Sequence, residues 1–210
     1  MRIEEFNALP AAEAADALAV CVRIDSWVGA LLRSRPYGDS AALLRAARTQ
    51  AARWTPGEIA AALADHPRIG ERSTGPATDT PTAAHSTTAH STSEQAGVDP
   101  GDRDLAAALR AGNLAYEQRF DRIYLVRAKG RTGAQMLALL EQRLDNSPAA
   151  ELAVVHEQLA QIALLRLADL FAVGLDPADF EDDPVLPHDQ TDDDTGEDTG
   201  VGAGGGRVRA

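Results

Sequence analysis

The chain is poor in cysteine, in aromatic residues and in long apolar runs. Its single cysteine, Cys21, cannot form an intramolecular disulfide, which is typical of a reducing compartment. Aromatic side chains make up only 4% of the sequence, whereas strands favour aromatic and β-branched residues. No apolar stretch reaches membrane-spanning length, and the first residues lack the apolar run of a signal peptide. The sequence therefore predicts a cytoplasmic, all-α protein that does not contact a membrane.

The net charge of −12 is concentrated at one end of the sequence. Residues 176–210 contain eleven acidic residues and two arginines. This stretch is rich in glycine and poor in large apolar side chains, so it cannot offset the entropy of ordering itself. The remaining residues are nearly neutral and show no basic stripe for phosphates, which argues against nucleic-acid binding. We expect one helical domain over residues 1–175 and a disordered acidic tail over 176–210.

Capping residues predict where several helices begin. A Ser, Thr or Asp that can accept a hydrogen bond from the first turn, alone or with a Glu or Gln three residues later, marks each start. Pro67 disfavours the α conformation at His66, so the preceding helix should end at about Ala64 or Asp65. The last helix should end near Gly174. The predicted starts are at Ser40, at Thr55 with Glu58, at Asp102, at Thr132 with Gln135, and at Ser147 before Pro148.

Two segments are predicted to be non-helical. Residues 73–92 are rich in Ser, Thr and Ala and lack apolar periodicity, which is typical of a flexible surface loop. Residues 123–126 form a short apolar run that could be extended. The helix between them begins at Asp102 and contains Leu105, Leu109, Leu114 and Tyr116.

Arg166 falls within the apolar stripe of the last helix. At 100° per residue it lies among Leu152, Val155, Leu159, Ile162 and Leu170. A guanidinium in a core position is costly unless it meets an anion or several acceptors, since it cannot deprotonate. Periodicity alone favours an internal ion pair or a side chain that reaches solvent. The alternative is a clamp for an anionic ligand.

The other polar motifs are weak when each is considered alone. A histidine before a proline, as in His66-Pro67, more often has a solvated or structural role than a catalytic one. The Ser91-x-x-Glu94 pattern is explained by a helix-capping box. Neither the remaining histidines nor Cys21 have metal-ligand spacing, and no glycine-rich phosphate loop is present. These residues indicate a helical domain with a possible anion site.

Taken in order, however, a series of motifs resembles the 2-oxo-4-hydroxy-4-carboxy-5-ureidoimidazoline (OHCU) decarboxylase family. The resemblance covers about residues 6 to 171, and its most specific parts are HPRIG and SxxEQ followed by a C-terminal RL. The motifs are Trp27, Arg35-Pro36-Tyr37, His66-Pro67-Arg68-Ile69-Gly70, Ser91-x-x-Glu94-Gln95, Asn113-x-x-Tyr116, Phe120, Arg143-Leu144-x-Asn146, Glu151-Leu152 and Arg166-Leu167.

The resemblance implies a single-domain helical bundle that needs neither a metal nor an organic cofactor and that forms a homodimer. It implies decarboxylation of the small molecule OHCU to S-allantoin during urate breakdown. The family's catalytic histidine corresponds to His66, the proton donor, and Glu94 is a second catalytic residue. The substrate-contacting positions correspond to Pro67, Ser91, Gln95, Arg166 and the backbone after Phe120, at Ile123 and Tyr124.

Three features depart from the family pattern. The loop between His66 and Ser91 is longer than the family usually has. Asp121-Arg122 stands where a glycine and an aromatic residue are common, and the acidic tail has no counterpart. Two other functions fit the same residues: a non-catalytic helical module that binds a partner, and a module that binds a small anion without converting it.

Overall fold

The computed structural model describes residues 1–64, 68–69, 102–175 and 180. These residues form helices and contain no strand, which confirms the all-α prediction. No helix among them combines the length and apolar character that a membrane span requires. The helices are α1 (Ile3–Ala8), α2 (Ala11–Ala19), α3 (Asp25–Arg33), α4 (Ser40–Ala51), α5 (Pro56–Ala64), α6 (Arg103–Phe120), α7 (Gly133–Arg143) and α8 (Pro148–Leu170).

Most of the predicted helix starts are confirmed by their caps. The Thr55 hydroxyl accepts from the Glu58 amide at 3.3 Å, while Glu58 accepts from the Thr55 amide at 2.8 Å. Thr132 and Gln135 form the same reciprocal pair at the start of α7. Asp102 and Ser147 cap α6 and α8 through their side chains. These starts are local, so the sequence alone was sufficient to locate them.

The predicted cap of α4 was wrong by one residue. Asp39, not Ser40, precedes the helix in an extended conformation, and its carboxylate accepts from the Ala42 amide at 2.6 Å. Both residue types are good caps. An acidic group here also faces the positive end of the helix dipole, which favours Asp39.

The last helix ends before the position predicted from the sequence. It stops at Leu170 rather than near Gly174, because Ala172 adopts a left-handed conformation with a φ of 52°. The amide of Val173 then donates to the carbonyl of Ala168 at 2.9 Å. This is a Schellman-type ending, in which a residue other than glycine occupies the left-handed position.

Helix α8 is the central element of the main core. Every residue from Gln158 to Ala168 is buried, so three turns are covered on all sides. The prediction of a single apolar stripe therefore underestimated its burial. Helices α4 and α5 pack against it, and α2 and α3 complete the layer. His156, stacked on Trp54, contacts the Ala51 carbonyl at 2.7 Å and joins α8 to the end of α4.

A second core lies between α6 and α7. It contains Leu109, Tyr116 and Leu140, all fully buried. The two helices approach closely at Gly112, where an added Cβ would lie 2.3 Å from Leu140 Cδ2. Leu114 of the same helix is 59% exposed. Five residues turn a helix by about 140° beyond a full rotation, which places Leu114 away from Leu109.

A buried ion pair connects the second core to α8. Arg143, at the end of α7, donates to Glu151 Oε1 from Nη2 at 2.6 Å and from Nε at 3.0 Å. The Tyr116 hydroxyl also contacts Glu151, and Asn146 donates to the second carboxylate oxygen at 2.8 Å. Burial raises the pKa of Tyr116, so its hydroxyl keeps its proton and donates.

Two further groups contact the guanidinium of Arg143. Its Nη1 donates to the carbonyl of Leu125 at 2.8 Å, and its plane lies over the Tyr124 ring at 4.9 Å from the centroid. Both Arg143 and Glu151 are almost completely buried. The Arg143–Glu151 pair thus links α6, α7, α8 and the non-helical segment after α6.

The replacement Glu151→Gln is expected to destabilise the protein strongly. It would leave the Arg143 charge buried without a carboxylate, which typically costs about 3–5 kcal/mol. Urea unfolding measures this loss. Glu141→Gln, the same change at an exposed position of α7, is the matched control and should alter the free energy of unfolding by no more than about 0.5 kcal/mol. Equal stability of the two variants would contradict the role assigned to the pair.

Candidate functional site

The chain after α6 runs alongside α8. Asp121, with a φ of 53°, ends α6, and Ile123 then lines a cleft together with Leu152 of α8. Six residues later, Lys129 Nζ contacts both carboxylate oxygens of Asp169 at 2.8 and 3.0 Å. Leu152 and Asp169 are about 25 Å apart along the helix axis. Residues 123–129 can cover this distance only if they are nearly extended, as predicted.

Side chains, rather than a neighbouring strand, bind the backbone of this 123–129 segment. Arg143 donates to the Leu125 carbonyl, as described above. The Arg127 amide donates to Gln158 Oε1 at 2.8 Å, and the Arg127 carbonyl accepts from Arg131 Nη1 at 2.6 Å. A buried peptide group without a partner is costly, so these bonds are what allow an isolated extended segment to lie in the interior.

The backbone groups of Val126 differ from those of Arg127 in that they have no described hydrogen-bond partner. Val126 is 2% exposed. Among the residues that the structure describes, none forms a hydrogen bond with its amide or its carbonyl. Buried peptide groups in native proteins nearly always have a partner, so this position can accept a polar ligand.

The cleft at the start of the segment has a volume of about 430 Å³. One wall is a face of α5, another is the turn after α6, and α8 contributes one leucine. The lining is largely apolar, apart from the two charged residues at the turn. It consists of Pro56, Ile59, Ala60, Leu63, Ala64, Phe120, Asp121, Arg122, Ile123 and Leu152.

Arg68 and Ile69, the middle of the HPRIG motif, are fixed to α6. Arg68 donates to Glu117 through Nε and, at 2.9 Å, through Nη2, and this bonding lowers the pKa of the Glu117 carboxyl. Asn113 donates to the Ile69 carbonyl at 3.0 Å, and the Ile69 side chain is buried in the second core. The two residues that follow His66-Pro67 in the sequence are therefore bound to α6.

Arg166 is buried at the far end of α8. It is 3% exposed and donates to the Cys21 carbonyl, between α2 and α3, at 3.3 Å. Fourteen residues separate it from Leu152, or about 21 Å along the axis. Arg166 therefore does not line the cleft. Burial raises the pKa of the neighbouring Cys21 to about 12, so this thiol is not a nucleophile at neutral pH.

The second half of α8 carries further buried polar groups. Gln158 is fully buried and Gln161 is 2% exposed. Gln158 binds the 123–129 segment at Arg127, whose side chain is 5% exposed. We call Arg127, Gln158, Gln161 and Arg166 the polar strip. Gln158, Gln161 and Arg166 lie along α8 beyond the cleft, and Arg127 is bound to the first of them.

The predicted site residues are thus only partly described. Ile123 lies in the cleft wall. The side chain of Tyr124 belongs to the second core, and its hydroxyl donates to the Met136 carbonyl at 3.0 Å. The described residues include no cluster of metal-ligating side chains. The predictions at His66, Pro67, Ser91, Glu94 and Gln95 lie outside the described residues.

Arg127 and Gln158 were not identified from the sequence. The signal available for Gln158 was the same as for Arg166: a polar residue within the apolar run of α8. No local pattern marked Arg127, which follows a run of apolar residues as an ordinary surface arginine would. Its burial depends on Gln158, 31 residues later in the chain.

Several of the ordered motifs instead have structural roles. Trp27 Nε1 donates to the Ala47 carbonyl at 3.0 Å and joins α3 to α4. Arg35 donates to the carbonyls of Phe6 and Leu9, both at 2.9 Å, at the end of α1. Asn113 and the Arg143–Glu151 pair, both described above, also have structural roles. These motifs mark the fold and thereby position the site.

Comparison with known proteins identifies relatives of the chain. A family model described as OHCU decarboxylase matches residues 7–168. The uric acid degradation bifunctional protein TTL of Arabidopsis thaliana is 32% identical over 111 residues, which make up 53% of this chain and 33% of that protein. The chain therefore spans about a third of the length of this curated relative.

Two solved structures share the fold. A crystal structure of OHCU decarboxylase in the presence of (S)-allantoin is 26% identical with a TM-score of 0.61, over 75% of this chain and 98% of that one. A crystal structure of (S)-allantoin synthase, 17% identical with a TM-score of 0.58, covers 81% of this chain and 54% of that one, and supports the fold alone. Because the family model matches well over half of the residues, the chain belongs to the OHCU decarboxylase family.

Proposed function

We propose that the protein converts OHCU to S-allantoin and carbon dioxide during urate breakdown. Membership of the OHCU decarboxylase family supports this reaction. The observation that carries the proposal in this chain is the polar strip, which holds the guanidinium groups of Arg127 and Arg166 inside the fold. A carboxylate substrate is the class of molecule that such a strip would favour.

The charge of these two arginines is permanent. A guanidinium does not deprotonate in proteins, so burial cannot neutralise it as it can neutralise a lysine or a histidine. Arg127 and Arg166 therefore carry positive charge inside the fold, where a planar fork could bind a carboxylate or a carbonyl oxygen.

The backbone of Val126 supports a ligand with many amide groups. Its amide could donate to a carbonyl of the substrate, and its carbonyl could accept from a ring or ureido N–H. The Val126 amide shares a peptide group with the bonded Leu125 carbonyl, and the Val126 carbonyl shares one with the bonded Arg127 amide, so this orientation would be set before the ligand binds. Preorganised donors of this kind stabilise charge that develops during a reaction.

We assign the proton transfer to His66, on the basis of the family resemblance. Two positions before it, Ala64 lines the cleft, and two positions after it, Arg68 binds α6. These two described residues, one on each side of position 66 in the sequence, support the assignment. Histidine suits this role because its ordinary pKa is close to neutral pH.

The reaction replaces a carboxylate with a proton. Loss of carbon dioxide breaks the C–C bond at the hydroxyl-bearing ring carbon, and the electron pair moves into the bond to the neighbouring ureido-bearing carbon. The hydroxyl carbon becomes a carbonyl, its proton ends on the ring nitrogen of the former C=N bond, and donors to its oxygen lower the barrier. Protonated His66 delivers its proton to the ureido-bearing carbon. Delivery to one face would yield one enantiomer of allantoin.

Other assignments carry over from the family as part of the same proposal. Glu94 would accept hydrogen bonds from the substrate and orient it. Tyr124 would contribute its backbone, because its hydroxyl already donates to Met136. A homodimer and a cytoplasmic location are proposed on the same basis. The remaining substrate-contacting residues of the proposal are Pro67, Ser91, Gln95 and Arg166. Ile123 lines the cleft beside Leu152, about 21 Å along α8 from Arg166, so a contact of Ile123 with the same small substrate is not part of the proposal.

Replacement of the histidine tests the proposed chemistry. OHCU generated in situ from urate by the two preceding enzymes would be supplied to the protein, and circular dichroism would follow allantoin. We expect a rapid S-allantoin signal with the unmodified chain. His66→Ala should slow it by at least about 100-fold, because general acid catalysis typically contributes that much.

The matched control is His85→Ala, at a histidine with no assigned role, which should retain full activity. If His66→Ala formed S-allantoin at the rate of the unmodified chain, the assignment of His66 as proton donor would be wrong. A folded, unmodified protein that left only the slow, optically inactive decay would contradict the proposed reaction. It would favour a non-catalytic module that binds a small anion or a partner.

Replacement of Arg166 tests the role of the polar strip. Arg166→Lys keeps the charge but loses the planar fork, so we expect KM to rise about tenfold or more while the thermal midpoint falls only slightly. Arg110→Lys, at an exposed position of α6, provides the matched control. If Arg166→Lys lowered stability and left KM unchanged, Arg166 would serve the core only, through its bond to Cys21.

A further inference from the structure

Phe180 is a buried aromatic residue beyond the end of the family match. It lies within the acidic sequence that follows residue 175, yet it is 6% exposed and belongs to the main core. The family model ends at residue 168, so this contact is an addition to the family domain. A buried aromatic ring must pack against a complementary surface of the domain.

Two guanidinium groups lie over the ring of Phe180. The Arg48 guanidinium is 5.6 Å from the ring centroid and that of Arg127 is 5.8 Å. Arg48 is an exposed residue of α4, and Arg127 is the buried member of the polar strip. A cation within about 6 Å of a ring centroid is attracted by the ring, most strongly where water is excluded. We call this the Arg48–Arg127 site.

The sequence around Phe180 complements the charge of this site. Asp179 and Glu181 are its direct neighbours, and Asp182 and Asp183 follow. A single peptide bond joins each direct neighbour to Phe180. A carboxylate acts over a range of roughly 8 Å at physiological ionic strength.

We propose that the C-terminal segment is an intramolecular ligand of the Arg48–Arg127 site. Phe180 is its anchor, and the adjacent carboxylates weaken the binding of anionic ligands at Arg127. The anchoring depends only on the contacts of the ring. The effect on substrate rests on the proposed function, because it requires an anionic substrate beside the polar strip.

The anchoring can be measured without turnover. Backbone heteronuclear NOE values of the full chain report fast motion at each amide. We expect the Phe180 amide to be as ordered as those of α8, and to become mobile in Phe180→Ala. A mobile Phe180 in the unmodified chain would overturn the proposal.

Variants that remove carboxylate charges but keep Phe180 separate the effect on ligand binding from the effect of the ring on stability. Asp179→Asn/Glu181→Gln removes two charges beside Phe180, and Glu197→Gln/Asp198→Asn removes the same two groups further along the tail. We expect the first pair to lower the apparent KM about three- to fivefold with kcat unchanged, the size of effect that exposed ion pairs have. The second pair should leave KM unchanged.

Oxalate provides a readout that does not depend on the reaction. Titration with this dicarboxylate should shift the Arg127 amide resonance at a three- to fivefold lower concentration in Asp179→Asn/Glu181→Gln than in the unmodified chain. Equal responses of the two charge variants, or weaker anion binding after neutralisation beside Phe180, would overturn the proposal. Absence of turnover with an intact oxalate difference would contradict the proposed function alone.

Discussion

The Arg143–Glu151 pair is the interaction on which the rest of this structure depends. Two opposite charges lie in the interior, and removal of either would leave the other without compensation. Tyr116 and Asn146 satisfy the carboxylate, while the Leu125 carbonyl satisfies the guanidinium. Each bond reaches a different element, so the pair fixes the spacing of α6, α7 and α8 with a directionality that apolar packing lacks.

One consequence of this pair is an extended segment without a sheet. The 123–129 segment lies beside α8 because Arg143, Gln158 and Arg131 take the places that strands would otherwise fill. These side chains hold its peptides at fixed positions. The amide and carbonyl of Val126 are then presented in a defined direction next to Arg127, which is how an all-helical fold can offer a backbone surface to a ligand.

The sequence predicted features that are local and missed those that depend on distant residues. The caps at Thr55 and Thr132 are complete within four residues, and both were located correctly. Periodicity identified Arg166 as unusual, yet its acceptor, the Cys21 carbonyl, is 145 residues away in the chain. Arg127 had no local signal, because its burial arises from α8.

The position of α8 in the chain has a consequence for how fast the protein folds. This helix is the core of the fold, but its partners come much earlier: His156 contacts Ala51 across 105 residues, and Arg166 contacts Cys21 across 145. Helical proteins usually fold quickly because their contacts are close in sequence. Here the decisive contacts close long loops, so the folding rate should resemble that of mixed α/β domains rather than that of simple helical bundles.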